Sequence, residues 1–180
     1  MSHHRKTRPS IYWLKQVVKG VFFVAVLLIL FSWIHHNYLI HPVAGTSMQE
    51  SLQDGDRVLL NKRSPIVRYS VIGFSVPEED GMFVKRVIGL PGDSVLVQGN
   101  RLILSIGDEG FTTTYTFDLE PKAARQMKQE TTIPSQHYFV IGDHTAVSKD
   151  SRSFGWVAAE KVEGKVQYRV YPLSEFGPIN

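Results

Sequence analysis

One stretch of the chain is apolar without interruption, and the rest alternates in short runs. Gly20 to Ile34 reads GVFFVAVLLILFSWI, fifteen residues with no charge and no polar face. That pattern predicts a membrane-crossing helix rather than an amphipathic surface helix. A helix of that length spans only ~22 Å of a ~30 Å hydrocarbon core. The flanks make up the deficit. Lys15 and Lys19 can snorkel at one end beside Trp13, and His35-His36-Asn37 with Trp33 and Tyr38 form an interfacial belt at the other. The reading is a basic cytoplasmic tail over 1–15, an anchor over 16–38, and one extracytoplasmic domain over 39–180. A cleaved secretory signal peptide shares the same pattern, with Val43-Ala44-Gly45 as its small-residue site.

Beyond the anchor the apolar runs are short and broken by Gly, Pro and Asp, which predicts strands. Candidate strands are Arg57–Asn61, Met82–Leu90, Ser94–Val97, Arg101–Leu104, Phe111–Leu119, His137–Ile141 and Val162–Tyr171. Gln98-Gly99-Asn100 between two of them reads as a hairpin turn. Only Lys122–Gln129 has helical character. The domain is therefore expected to be mainly β, with residues 105–134, the least regular stretch, forming a small inserted subregion.

Composition changes this picture in two places. There is no cysteine, which excludes a catalytic thiol, a disulfide framework and a thiolate metal site. The net charge of +3 arises at the amino end, where the first 19 residues hold five basic residues and no acid. The domain itself has no basic excess, so its charge does not point to nucleic acid. A basic segment ahead of an anchor predicts a cytoplasmic amino terminus. No clustering of ligand residues calls for a metal or cofactor.

Ser47 lies in Gly45-Thr46-Ser47-Met48, a turn-forming context a few residues beyond the anchor. Gly45 leaves room for a substrate backbone, and the Ser47 backbone N–H can point at an oxyanion. Met48 suits a core filler or a groove wall equally. A serine nucleophile needs a base, and histidine is the usual one. Apart from His41 at the membrane boundary, only His137 and His144 lie in the domain: His137 sits in a strand, and His144 follows Asp143 in a turn. Lys85 is the other candidate. Strand alternation puts it on one face with Phe83 and Val87, where it is either desolvated, with a lowered pKa, or snorkels to water from an edge.

Three boxes follow the apolar segment in order: Gly45-Thr46-Ser47-Met48, then Lys85-Arg86-Val87-Ile88-Gly89-Leu90-Pro91-Gly92-Asp93, then Gly142-Asp143-His144 with Ser148-Lys149-Asp150-Ser151-Arg152. Together they resemble type I signal peptidases, the membrane-bound serine proteases that use a Ser/Lys pair. The short chain and single anchor resemble Gram-positive members. The resemblance implies a coiled, barrel-like β-sheet catalytic domain with a small second β-rich part. It implies Ser47 as nucleophile, Lys85 as general base, Ser148 as the residue that hydrogen-bonds and orients the lysine, and Asp150 paired with Arg152, with Asp143 in the same network. Two positions depart from the family pattern: Glu50 stands where a proline is expected, and His144 where an asparagine is.

The implied reaction is cleavage of a signal peptide from a secreted preprotein, with small residues at the first and third positions before the cut. Val43, Met48, Phe83, Val87 and Ile88 are the candidate groove walls. The implied partners are preprotein signal peptides and the lipid bilayer, with a secretion translocon or pilus assembly components as further candidates. The chain would sit in the cell membrane as a single-pass protein. The alternative is an accessory or chaperone relative, serving secretion or pilus assembly with restricted proteolysis, motivated by Glu50 and His144. A Ser/Lys self-cleaving repressor relative is a third option, but no helix-turn-helix precedes the domain.

Overall fold

The computed structural model describes residues 11–76, 81–107 and 112–179. Most of the basic tail, with Arg5, Lys6 and Arg8, lies outside the described residues, as does Phe111. Two compact units divide at Asn37 and Tyr38. The first is α1 (Ile11–Asn37), a 27-residue helix. The helical run extends well past the uncharged stretch at its amino end, through Lys19 and Lys15. At ~1.5 Å per residue its length is ample for a bilayer. Residues Tyr12–Asn37 are long and apolar enough to fit a single membrane span.

The second unit is a mainly antiparallel β-domain. In chain order it holds β1 (Tyr38–Pro42), β2 (Arg57–Asn61), β3 (Val71–Ser75), β4 (Met82–Gly89), β5 (Ser94–Gln98), β6 (Arg101–Gly107) and β7 (Thr112–Asp118). Then come the short helix α2 (Pro121–Met127), β8 (His137–Ile141), a single turn α3 (Ser151–Phe154), β9 (Val157–Ala158), β10 (Val162–Tyr171) and β11 (Gly177–Pro178). The larger sheet runs β1-β2-β10-β3-β4-β8-β9, with β11 also paired to β10. The smaller sheet is the meander β5-β6-β7. It begins at Ser94, so it takes in the hairpin as well as the stretch after 105. The small sheet forms because Val95, Leu102 and Leu104 need cover on one face. They find it in Ala123, Ala124 and Met127 of α2 and in Phe139 and Ile141 of β8.

Two further core clusters position the site. One gathers Met48, Leu52, Val58, Leu60, Val84 and Val166. The other gathers Ile72, Phe74, Val87, Val140 and Val157, with Phe83 and Phe154 packed against it. Gly73 packs closely against the first of these clusters. A Cβ there would lie 2.5 Å from Leu60 Cδ2 and 2.8 Å from Met82 Sδ, so a larger residue would displace those two side chains. One edge is left open beside the site. β4 pairs with β3 from Met82 to Arg86, but its pairing with β8 starts only at Arg86. Residues 82–85 therefore have no strand on that side among the described residues.

Candidate active site

Ser47 sits on a tight turn after β1. The Gln49 N–H donates to the Thr46 carbonyl at 3.1 Å, and the Ser51 and Leu52 N–H groups donate to the Met48 carbonyl at 2.8 and 2.6 Å. The leading N–H groups of a helical turn have no partner within it. The Ser47 N–H makes no backbone hydrogen bond among the described residues. Gly45 enters the turn at φ +81, a left-handed conformation that favours glycine. Its N–H donates to Asp54 Oδ1 at 2.7 Å. Met48 and Leu52 are buried in the core, so the turn is nailed down just past the serine. Glu50 points to solvent.

Lys85 projects from β4 to meet it. Its Nζ is 2.6 Å from Ser47 Oγ and 2.9 Å from the Val84 carbonyl. The residue is only 3% exposed. Burial pushes the amine down from 10.5 to about 8, while Asp150 and Asp143 attract the ammonium and pull the other way. Desolvation wins because both carboxylates are already committed to guanidinium partners. The Phe83 ring centroid lies 5.5 Å from Nζ and forms part of the apolar wall.

The loop after β8 braces both groups. Asp143 accepts from Arg86 Nε and Nη2, both at 2.8 Å, and from the Ser51 hydroxyl. Burial pushes the Asp143 carboxyl up, but the hydrogen bonds from Arg86 and Ser51 outweigh it and hold the group below the usual carboxylate range. Arg86 thus points to a structural ion pair and not to solvent. Asp150 is fully buried and accepts from Arg152 Nε at 2.8 Å and Nη2 at 2.9 Å. It also accepts from the Gly142 N–H at 3.1 Å and the Arg152 N–H at 3.1 Å. The carboxylate raises the pKa of Arg152 in return. Gly142 has no room for a side chain: a Cβ would sit 2.1 Å from Ser148 Oγ and 2.6 Å from the Ser47 carbonyl. The Ser47 carbonyl itself accepts from the His144 N–H at 3.0 Å.

Three expectations need correction. Ser148 makes no hydrogen bond to Lys85: its Oγ is buried with no partner among the described residues, and the Val84 carbonyl holds the amine instead. Val87 does not line the groove. It is 0% exposed, because the Lys85 face of β4 runs into the core beneath β8. Ile88 packs against the cluster under the small sheet, at the β4 irregularity between Val87 and Gly89. His137 stands apart, its Nδ1 bonded to the Ser135 carbonyl at 2.8 Å, and the His144 Nδ1 is buried without a described partner.

A cleft of about 300 Å³ opens at Ser47 and Lys85. Its walls are the stretch from Val43 to Met48, residues Met82 to Val84 of β4, and Val147 with Lys149. Sequence reasoning missed Ser51, Met82, Val84, Val147 and Lys149. Alternation in β4 puts Met82 and Val84 on the face opposite Lys85, so it could not flag them, and nothing local marks the others. A larger hollow of about 440 Å³ lies by Phe154 and Trp156, but it contains neither Ser47 nor Lys85.

Fold and cleft define a mainly antiparallel β-domain that follows one bilayer-length helix and presents a serine to a buried amine. Comparison with known proteins extends this. The family described as signal peptidase, peptidase S26, matches residues 12–171. Signal peptidase IB of Staphylococcus aureus (strain COL) is 31% identical over 181 residues, covering 90% of this chain and 93% of the relative. Signal peptidase I of Bacillus caldolyticus is 33% identical over 173 residues, covering 86% and 90%. A crystal structure of a signal peptidase I from Enterococcus faecalis V583 matches with 31% identity and a TM-score of 0.40, covering 57% of this chain and 97% of that one. The chain belongs to the signal peptidase family, peptidase S26, and is a serine endopeptidase.

Proposed function

We propose that this chain cleaves signal peptides from secreted preproteins after a small residue, with Ser47 as nucleophile and Lys85 as general base. The observation that carries it is the 2.6 Å separation of Lys85 Nζ and Ser47 Oγ, at an amine lowered to about 8. Neutral Lys85 takes the Ser47 proton as Oγ attacks the scissile carbonyl. The Ser47 N–H stabilises the oxyanion. The lysinium returns its proton to the departing amine, and the neutral lysine then activates the water that hydrolyses the acyl-enzyme.

The open edge of β4 at residues 82–85 supports the substrate pose. An extended segment before the cut can add there as a strand, opposite Val43 to Thr46. The side chains facing into so small a cleft meet Met48, Phe83 and Val84, which leaves room for small residues at the first and third positions. The basic residues ahead of α1 put the amino terminus in the cytoplasm and the catalytic domain across the bilayer, beside the emerging signal peptide. The accessory alternative loses ground to the paired serine and amine, which a chaperone has no physical need for.

Two measurements test the core of the reading. A preprotein with an Ala-x-Ala site is reconstituted with the intact chain or its Ser47→Ala variant. Loss of at least about 10³-fold in rate is expected for the variant; appreciable turnover by it would falsify the nucleophile. Activity is also expected to rise with pH through about 8, as Lys85 loses its proton. A single-turnover rate that stays flat between about pH 6 and pH 10 contradicts a lysine base.

A further inference from the structure

The third wall of the cleft is unlike the other two. Val43 to Thr46 and Met82 to Val84 offer backbone edges. Val147 and Lys149, on the loop between β8 and α3, offer side chains. Val147 is 57% exposed, and the core has no use for it. Yet the loop that holds it is rigidly fixed. Arg152 Nη2 donates to the Thr145 carbonyl at 2.7 Å and to the Ser148 carbonyl at 3.3 Å, on either side of Val147. The Val147 N–H donates to the His144 carbonyl, and the His144 N–H to the Ser47 carbonyl. An apolar side chain held firmly at the mouth of a catalytic cleft, next to a cation, is arranged for a ligand.

The chemistry says which half of the substrate meets it. The half before the cut needs an extended partner strand, and both backbone edges serve that half. The other half must leave past Lys85, which protonates its amine. Lys85 Nζ is fixed between Ser47 Oγ and the Val84 carbonyl, and the wall left for the departing chain carries Val147 and Lys149.

Resting on the proposed peptidase reading, we propose that Val147 and Lys149 form a subsite for the first two residues after the cut. It favours a chain with an acidic side chain there and disfavours a basic one. Lys149 also has an interaction within the chain, so a substrate carboxylate joins or exchanges with that contact and does not meet a bare charge. Because the site is open to water, its charge preference weakens as salt rises.

The experiment uses the full-length protein in detergent or vesicles. Its substrates share the residues before the cut and carry Glu, Gln or Lys at the second position after it. For the unaltered protein, kcat/KM is expected to fall in the order Glu, Gln, Lys, with a spread of about 5- to 20-fold. Most of that spread should lie in KM. Lys149→Glu is expected to reverse the order, and Lys149→Gln to flatten it. Moving the same charges to the second position before the cut, the variable position of an Ala-x-Ala site, should make the order insensitive to Lys149. If Lys149→Glu keeps the original order while Ser47-dependent cleavage continues, the subsite is wrong and the peptidase reading stands. If no substrate is cut by the unaltered protein, the peptidase reading fails and takes the subsite with it.

Discussion

Lys85→Met is expected to yield a protein that is inactive and, at neutral pH, more stable. Turnover should fall by about 10³-fold or more, since methionine cannot accept a proton. The stability gain follows from linkage. The folded amine is lowered from 10.5 to about 8 by burial. Below the folded value the amine is charged in both states, and burying it costs about 3 kcal/mol of folding free energy. That cost fades as pH rises from about 8 to about 10.5, and it is gone once the unfolded amine is neutral too. Methionine fills a similar volume without the charge. It gives up the bonds to Ser47 and the Val84 carbonyl, which offsets about 1–2 kcal/mol of the gain. The variant should therefore be about 1–2 kcal/mol more stable at pH 7, and no more stable than the parent by about pH 10.5. Urea unfolding of the two proteins at both pH values decides it. A variant that is less stable at pH 7 would show that the lysine is not held against desolvation.

Asp150→Ala is expected to be the most damaging single change to the fold around the site. The carboxylate is fully buried and takes four hydrogen bonds, two from the Arg152 side chain and two from backbone N–H groups. Truncation leaves the Gly142 N–H and part of a guanidinium without partners. Breaking such a buried pair costs about 3–5 kcal/mol. Asp150→Asn keeps the shape and one of the two acceptor oxygens, so it should cost less than the truncation and remain folded. It also removes a charge that raises the Lys85 pKa. The pH–rate profile of the Asn variant should therefore shift to lower pH. A profile that stays in place would mean that Asp150 acts only as a structural pin.

The sequence made much of this domain legible because its strands alternate. Arg57–Asn61, His137–Ile141 and Val162–Tyr171 are strands over those same residues. β3 went unread, and the reason is its place. It lies between β10 and β4 and is buried on both faces, so Val71-Ile72-Gly73-Phe74 shows no alternation, and Gly73 looks like a break. β1 was hidden by its neighbour, since Tyr38 reads equally well as an interfacial belt residue. At the site, the motifs marked Ser47 and Lys85 but could not give the fate of each face. Val87 shares the Lys85 face by parity, yet only tertiary packing says that this face closes into core two residues on. Ser51 bonds to Asp143 and Arg86, and Val147 and Lys149 line the cleft opposite residues 43–48 and 82–84, juxtapositions that no local pattern encodes.

The clamp of Arg86, Asp143 and Ser51 has a consequence for the Ser47 and Lys85 pair. Arg86 is the residue after Lys85, Ser51 is four residues past Ser47, and Asp143 belongs to the loop that leads to the Asp150 and Arg152 pair. One carboxylate thus ties together three segments that are remote along the chain. The distance between Ser47 and Lys85 is therefore set by packing among segments far apart in the sequence, so a change at Ser51, Arg86 or Asp143 disturbs the pair without touching either member of it.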